Sequence, residues 1–181
     1  MGQHERLWAP WRLEYVQSSD DQSGISPAPK ELRFPEGADP DCFICQSIVD
    51  DADRARYVVD RNERTIVILN RFPYNNGHLL IAPIKHLARL DELDADDHAA
   101  IMDRITYWIG LLEQTIYPHG FNVGLNLGHV AGAGVPGHLH WHIVPRWSGD
   151  TNFMPTLAGV KVIPQSLDSL WETLVLRAKG Q

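Results

Sequence analysis

The sequence contains few cysteines, no long apolar run and no excess of basic residues. Only two of its 181 residues are cysteine, so a fold built on several disulfides is excluded. No apolar stretch approaches the roughly 18 residues of a membrane-spanning helix, and residues 1–6 lack the apolar segment of a secretory signal. We therefore expect a cytoplasmic protein without a membrane partner.

Acidic residues outnumber basic ones, 23 Asp and Glu against 16 Lys and Arg, which gives a net charge of −7 with histidine neutral. Nucleic-acid-binding domains usually carry a basic surface, so we expect no nucleic-acid partner. An anionic nucleotide is still compatible, because a local site can oppose the overall charge. With 44 % hydrophobic residues, the chain can form one compact domain.

The chain divides into an extension and one folded domain. Residues 1–40 combine an aromatic stretch with a connector rich in Ser, Asp, Pro and Gly, which predicts a partly irregular N-terminal extension. Residues 41–181 form the predicted domain, with a long amphipathic helix over 91–117 and a second helix in the C-terminal tail. Strands are predicted over 57–59, 65–69, 78–83, 121–126 and 138–144. Because strands and helices do not alternate regularly, the expected fold class is α+β.

Three histidines alternate with apolar residues in the last predicted strand, as His138-Leu139-His140-Trp141-His142. Successive side chains of a strand point to opposite faces, so we expect the three imidazoles on one face and the apolar side chains in the core. On a straight strand the outer two histidines lie roughly 13 Å apart, which prevents all three from binding one metal ion. The main alternative to a catalytic role is a metal ion bound by two neighbouring histidines. The simplest alternative is that all three are ordinary surface histidines on a sheet face.

A glycine-rich loop precedes these histidines and contains Gly128, Gly132, Gly134 and Gly137. Backbone N–H groups of such a loop can bind phosphate oxygens, and the missing side chains let a polyphosphate approach. A plain flexible turn has a similar composition. The loop therefore supports phosphate chemistry only together with the adjacent histidines.

The segment 138–144 resembles the signature of the histidine triad family, in which three histidines alternate with apolar residues. Two upstream features also resemble that family: Asn70 lies eight residues before His78, and Asn126 precedes the glycine-rich loop. The similarity extends from about residue 42 to about residue 146. It implies the histidine triad fold, an antiparallel sheet with a long helix, and a homodimer. Stretches over 7–12, 119–128 and 144–153 further resemble the bacterial diadenosine tetraphosphate phosphorylase-like branch.

The resemblance implies roles for individual residues. His140 is expected to be the nucleophile, which attacks the α-phosphorus of a nucleotide and carries the nucleotidyl group covalently. His142 is expected to bind phosphate oxygens, and His78 to support the site from the neighbouring strand. Asn70 is expected to hold the ribose. The other expected substrate-binding residues are Asn126, Gly132 and Gly134 in the phosphate groove, and Ile68 and Leu80 at the base, where an ordinary core role is an equal alternative.

Two positions depart from the hydrolytic members of the family. Those proteins usually have Gln, then Ser or Thr, where this chain has Gly134 and Val135. The departure favours phosphate over water as the acceptor, and hence phosphorolysis of a dinucleoside polyphosphate such as diadenosine tetraphosphate. The alternatives are a nucleotide hydrolase of the same family and a non-catalytic module that binds nucleotides or interacts through zinc. Mg²⁺ is expected only as a companion of the polyphosphate substrate.

The two cysteines are spaced as Cys42-Phe-Ile-Cys45, which in a reducing compartment is typical of metal binding or redox activity. A free thiol pair is a further alternative. Some bacterial members of the family bind zinc through such a pair, a histidine after the second strand and the first triad histidine. Those histidines are here His86 and His138, which complete a Cys₂His₂ set suited to tetrahedral zinc. The resemblance therefore implies a structural zinc ion.

Overall fold

A computed structural model describes residues 32–150 and 162–180, so most of the predicted extension over 1–40 lies outside the described residues. Five strands form one antiparallel sheet in the order β1-β2-β3-β5-β4. The expected α+β class with an antiparallel sheet is confirmed. The strands are β1 Val58–Arg61, β2 Thr65–Leu69, β3 Leu79–Pro83, β4 Gly120–Leu125 and β5 Trp141–Arg146.

In the described ranges, four α-helices accompany the sheet: α1 Phe43–Val49, α2 Asp53–Arg56, α3 Ala95–Ile116 and α4 Leu167–Ala178. The helix α3 begins where the Asp94 carboxylate accepts a hydrogen bond from the Asp97 N–H, and it ends at Tyr117, whose φ of 49° is left-handed. The predicted start at residue 91 is too early, because residues 90–92 form a separate 3₁₀ turn. None of the described helices combines the length and the apolar character that crossing a bilayer requires.

One face of the sheet packs against α3 and α4. Trp108 and Leu112 of α3 and Leu174 of α4 are fully buried against it. Burying apolar side chains of this size contributes about 1.5–3 kcal/mol each, which fixes the register of the strands. The buried strand residues of this core are Val59, Val67, Leu69, Leu79, Ile81, Trp141 and Ile143.

The opposite face carries the short helix α1, whose Ile44 is fully buried against β2 and β3. Cross-strand pairing places Ile68 opposite Leu80, and Leu80 opposite His142, so these three side chains form one row across the sheet. Both β2 and β3 are buried along their whole length, which explains why Thr65 is the one polar residue in the two strands. The α1 face is therefore the one that brings apolar residues and histidines together.

The strand of the histidine motif begins later than predicted. It starts at Trp141, so His138 and His140 precede it. The ladder with β3 begins at the pair Ile81–Trp141, and upstream of that pair the Leu139 N–H donates to a loop carbonyl, that of residue 87. The predicted facing nevertheless holds, since Leu139 and Trp141 lie in the α3–α4 core.

The same strand continues through Pro145 to Arg146, past its predicted end at residue 144. Pro145 lies beyond the last pair of β3 with β5, which joins Leu79 to Ile143. In a strand the nitrogen and the carbonyl of one residue point to the same side, and here the Pro145 carbonyl accepts a hydrogen bond from Asn75 Nδ2 at 2.9 Å. The Pro145 nitrogen, which has no hydrogen to donate, therefore points to the β3 side of β5, beyond the last pair with β3, where no ladder hydrogen bond is lost.

Candidate active site and metal-binding group

A cavity of about 510 Å³ lies on the α1 face of the sheet. Its size is that of a small-molecule site. Its wall is formed by α1, α2, the loop after β2, the glycine-rich loop and the histidine motif. Among the residues that the sequence analysis selected, those that line it are Ile68, Asn70, Leu80, Gly132, Gly134, His140 and His142.

The backbone holds the His140 imidazole in one orientation. Its Nδ1 lies 2.8 Å from the carbonyl oxygen of His138. A carbonyl can only accept, so Nδ1 carries a proton, and Nε2 is the ring atom that can offer a lone pair. His140 is only 6 % exposed, which excludes the alternative of a surface histidine. The ring that lines the cavity therefore has the tautomer of a nucleophile.

A second chain of hydrogen bonds fixes the tautomer of His142. The Tyr74 N–H donates to Nδ1 of His78 at 3.0 Å, and Asn70 Nδ2 lies 3.3 Å from the same atom. His78 must then carry its proton on Nε2, which lies 2.8 Å from His142 Nδ1. His142 in turn carries its proton on Nε2, a buried atom without a hydrogen-bond partner among the described residues. His142 thus keeps one N–H available, with its ring centre 5.2 Å from that of His140.

Burial keeps the imidazoles of His78 and His142 uncharged. It lowers the pKa of His78 to about 3, and the neighbouring His142 and His140 lower it further. The pKa of His142 falls to about 4, mainly through burial and then through the proximity of His140. Both rings are therefore neutral at physiological pH and act as hydrogen-bonding groups with fixed tautomers.

The other expected substrate residues occupy different positions. Asn70 lines the cavity, and its Oδ1 accepts the N–H of Phe72 at 2.9 Å, which shapes the loop after β2. Asn126 is not among the described wall residues; its Nδ2 lies 3.4 Å from the carbonyl oxygen of Gly132, which is one of them. Asn126 and His78 therefore contact wall residues rather than line the cavity.

The structure adds wall residues that the sequence analysis did not select. They are Phe43, Gln46 and Ser47 of α1, Arg56 of α2, Leu69 of β2, residues 71, 72 and 74 of the loop after β2, and Val135. The cysteine pair was the sequence signal for these α1 residues, because Phe43 lies between the two cysteines and Gln46 directly follows the second. A short helix anchored by those cysteines brings them to the same face of the sheet.

Four ligand atoms converge beside the cavity. The side chains of Cys42, Cys45, His86 and His138 offer atoms that all lie within 4.8 Å of one another. Both Sγ atoms are 3.5 Å from His138 Nδ1, and His86 Nδ1 is 3.2 Å from Cys45 Sγ and from His138 Nδ1. A tetrahedral zinc ion, with Zn–S of about 2.3 Å and Zn–N of about 2.0–2.1 Å, separates such atoms by about 3.3–3.6 Å. The group therefore fits a tetrahedral metal ion.

The second nitrogen of His138 orients it toward this group. Its Nε2 lies 2.9 Å from the carbonyl oxygen of Pro83, to which it donates, so Nδ1 has the lone pair that a metal needs. His138 lies with the cysteines, whereas His140 lines the cavity. The structure thus contradicts a metal ion shared by His138 and His140.

Comparisons with known proteins agree with this geometry. Residues 53–149 match the model of the HIT domain family. Over 169 residues the chain is 37 % identical to the AP-4-A phosphorylase of Mycobacterium tuberculosis, which covers 91 % of this chain and 80 % of the relative. The match extends well beyond the histidine motif on both sides.

Two solved structures share the fold. A hypothetical histidine triad nucleotide-binding protein of Sulfolobus tokodaii is 26 % identical, with a TM-score of 0.61 over 77 % of this chain and 93 % of its own. A Zn-bound histidine triad family protein of Mycobacterium smegmatis is 25 % identical, with a TM-score of 0.58 over 78 % of this chain and 98 % of its own. Motif, fold and similarity lead to one assignment: the chain belongs to the HIT domain family.

Proposed function

We propose that this protein transfers a nucleotidyl group from a dinucleoside polyphosphate to inorganic phosphate through a covalent intermediate on His140. One observation carries the proposal. A single cavity contains the His140 imidazole, with its lone pair on Nε2, and the His142 imidazole, with an N–H on Nε2. Displacement at phosphorus needs such a nucleophile next to such a donor.

The reaction consists of two displacements. In the first, His140 Nε2 forms a bond to the α-phosphorus, and the bond to the bridging oxygen breaks, so the remaining polyphosphate leaves with the electron pair. The His138 carbonyl, which accepts from His140 Nδ1, stabilises the positive charge that develops on the ring. In the second, an oxygen of inorganic phosphate attacks, the P–N bond breaks, and a nucleoside diphosphate is released.

The other residues bind and position the substrate in this proposal. His142 donates from Nε2 to an oxygen of the α-phosphate, and His78 holds His142 in the tautomer that allows it. Asn70 contacts the ribose, while Ile68 and Leu80 contact the base. The Gly132–Gly134 turn binds phosphate through backbone N–H groups, with Asn126 supporting it through the Gly132 carbonyl.

Phosphate is proposed as the acceptor because of the space at Gly134 and because of the relative's name. A Cβ added at Gly134 would meet nothing within 4 Å, so the wall is open where hydrolytic members carry glutamine. A second anion can enter this space and bind backbone N–H groups. The relative with 37 % identity is named as a phosphorylase of AP-4-A, which supports phosphate as the acceptor here and leaves the choice of base open.

We further propose that the Cys₂His₂ group binds zinc. With four protein ligands the ion has no open position, so its role is structural. The Zn-bound relative of M. smegmatis supports this assignment. Mg²⁺ would accompany the polyphosphate. The cytoplasmic location stays a prediction.

A homodimer is proposed from the edge of the sheet. β4 is the last strand in the order and pairs with β5 on one side. Its Val123 is 44 % exposed. An exposed edge strand with an apolar side chain is suited to pairing with a second copy of itself.

Product analysis tests the acceptor. Diadenosine tetraphosphate is incubated with and without millimolar phosphate, and the nucleotides are separated by chromatography. Phosphorolysis gives ADP and ATP at a rate that rises with phosphate, whereas AMP and ATP at a rate independent of phosphate would identify a hydrolase. Gly134→Gln should shift the products toward AMP. Gly110→Gln is the matched control, since a Cβ there also meets nothing within 4 Å but lies on α3.

A further inference from the structure

The wall formed by α1 and α2 contains a charged side chain that the proposed mechanism does not use. The Arg56 Nε donates to Asp50 Oδ2 at 2.6 Å, and its first terminal nitrogen donates to Gln46 Oε1 at 3.2 Å. Gln46 is itself held, because its Nε2 donates to the Pro40 carbonyl at 2.8 Å. The Arg56 side chain is 24 % exposed and lines the cavity. Its guanidinium is therefore fixed in position rather than a mobile surface charge.

The position of this wall corresponds to the base end of a bound nucleotide. Ile44 of α1 packs with Val58 of β1 and Ile68 of β2, so the helix lies over that side of the sheet. β2 is two strands away from β5, which is about 10 Å at the usual strand spacing. A nucleoside monophosphate with its phosphorus at His140 is long enough to place its base there. The rest of the polyphosphate would extend along the glycine-rich loop.

The charge of Arg56 is compensated by Asp50, whose carboxylate lies at salt-bridge distance. Such a guanidinium attracts a phosphate less than an isolated one does, yet it remains a directional hydrogen-bond donor. It has five N–H groups and no acceptor, and the contacts to Asp50 and Gln46 engage two of them. The side chain is 24 % exposed, so the other N–H groups are open to water in the cavity and to acceptors of a bound ligand.

The two purines differ at the edge that would meet these donors. Guanine presents two adjacent acceptors, O6 and N7, which match a guanidinium in a bidentate way. Adenine presents N7 next to an amino group, which would face the guanidinium donor against donor. We propose that Arg56 is a specificity-determining residue, which makes this protein prefer guanine to adenine in the nucleotide that His140 attacks. The inference rests on the proposed function for the orientation of the nucleotide.

Binding measurements test this preference independently of turnover. Calorimetry with GMP and AMP should give a dissociation constant for GMP that is lower by at least about tenfold, as expected for one bidentate contact. Arg56→Gln supplies one donor and one acceptor, which match adenine, so the preference should disappear or reverse. Arg54→Gln is the matched control, because Arg54 belongs to the same helix but pairs with Asp168 and Glu172 at the surface.

The same ratio is then measured as kcat/KM for diguanosine and diadenosine tetraphosphate. Equal affinity of the wild type for the two monophosphates, or tighter binding of AMP, would overturn the role of Arg56, and this result does not depend on whether the variant folds. An unchanged ratio in a folded Arg56→Gln protein would overturn it as well. If neither dinucleotide gave phosphate-dependent products, the proposed acceptor would be wrong, while the GMP to AMP ratio would still decide the role of Arg56. Binding of neither monophosphate at millimolar concentration would contradict both proposals.

Discussion

Replacing His78 by asparagine is expected to reduce the decrease in the free energy of unfolding that occurs as the pH falls. His78 is fully buried, accepts the Tyr74 N–H at Nδ1 and donates from Nε2 to His142. Asparagine retains an acceptor near the position of Nδ1 but does not titrate in this pH range. The variant therefore separates the titration of the buried ring from much of its hydrogen bonding.

The magnitude follows from the pKa of the buried ring. Burial lowers it from 6.5 to about 3. As the pH falls through about 6.5, the ring takes up a proton in the unfolded chain, whereas in the folded protein it stays neutral until about pH 3. The unfolded state then binds more protons, so the free energy of unfolding decreases with falling pH. Between pH 7.5 and pH 5 this one residue accounts for a loss of about 2 kcal/mol.

Urea denaturation at pH 7.5 and pH 5, in buffer with excess zinc, measures this loss. His78→Asn should be less stable than the wild type at pH 7.5, because it loses packing and the hydrogen bond to His142. Its loss of stability between the two pH values should nevertheless be smaller by about 2 kcal/mol. His98→Asn, at an exposed position of α3, is the control and should lose as much as the wild type. Equal pH dependence in the wild type and His78→Asn would refute the reasoning.

Three further predictions concern the nucleophile, the metal and the assembly. His140→Asn should reduce turnover by about 10³-fold or more while nucleotide binding persists in calorimetry, and His142→Asn should cost about 10²–10³-fold, as does the loss of one preorganised donor; near wild-type rates in His140→Asn would exclude it as the nucleophile. Elemental analysis should find about one zinc ion per chain, and both chelation and Cys45→Ala should lower the melting temperature; metal-free protein with reactive thiols would contradict this. Light scattering should give the mass of a dimer, and Val123→Glu that of a monomer, whereas a monomeric wild type would rule out the edge pairing.

The long helix could be predicted because its apolar residues repeat over several helical turns. Ile101, Ile105, Trp108 and Leu112 recur at helical spacing and are all buried on the inner side of α3. The alternation around the histidines likewise predicts which side chains enter the core, and Leu139 and Trp141 do so. Periodicity therefore predicts the direction of the histidines even where the backbone is outside the strand.

The remaining features depend on contacts that no local pattern encodes. The helix α1 has seven residues, too few for a periodic signal, and it supplies a wall of the cavity. The start of β5 depends on its pairing with β3, which begins at Ile81–Trp141, and the tautomer of His142 depends on a backbone N–H at Tyr74. Arg56 was missed for the same reason, since its role depends on packing of α1 and α2 against the sheet.

His138 connects the Cys₂His₂ group with the proposed nucleophile. Its Nδ1 lies among the ligand atoms, its Nε2 donates to the Pro83 carbonyl, and its own carbonyl accepts from His140 Nδ1. The β3–β5 ladder begins only at Trp141, so the backbone of 138–140 lacks strand partners on that side. The side chain of His138 supplies the anchor that the ladder does not, and a metal ion in the group would tighten it. The order of the motif follows from this arrangement: the first histidine fixes the backbone, the second uses that backbone to direct its lone pair, and the third, inside the strand, presents the N–H.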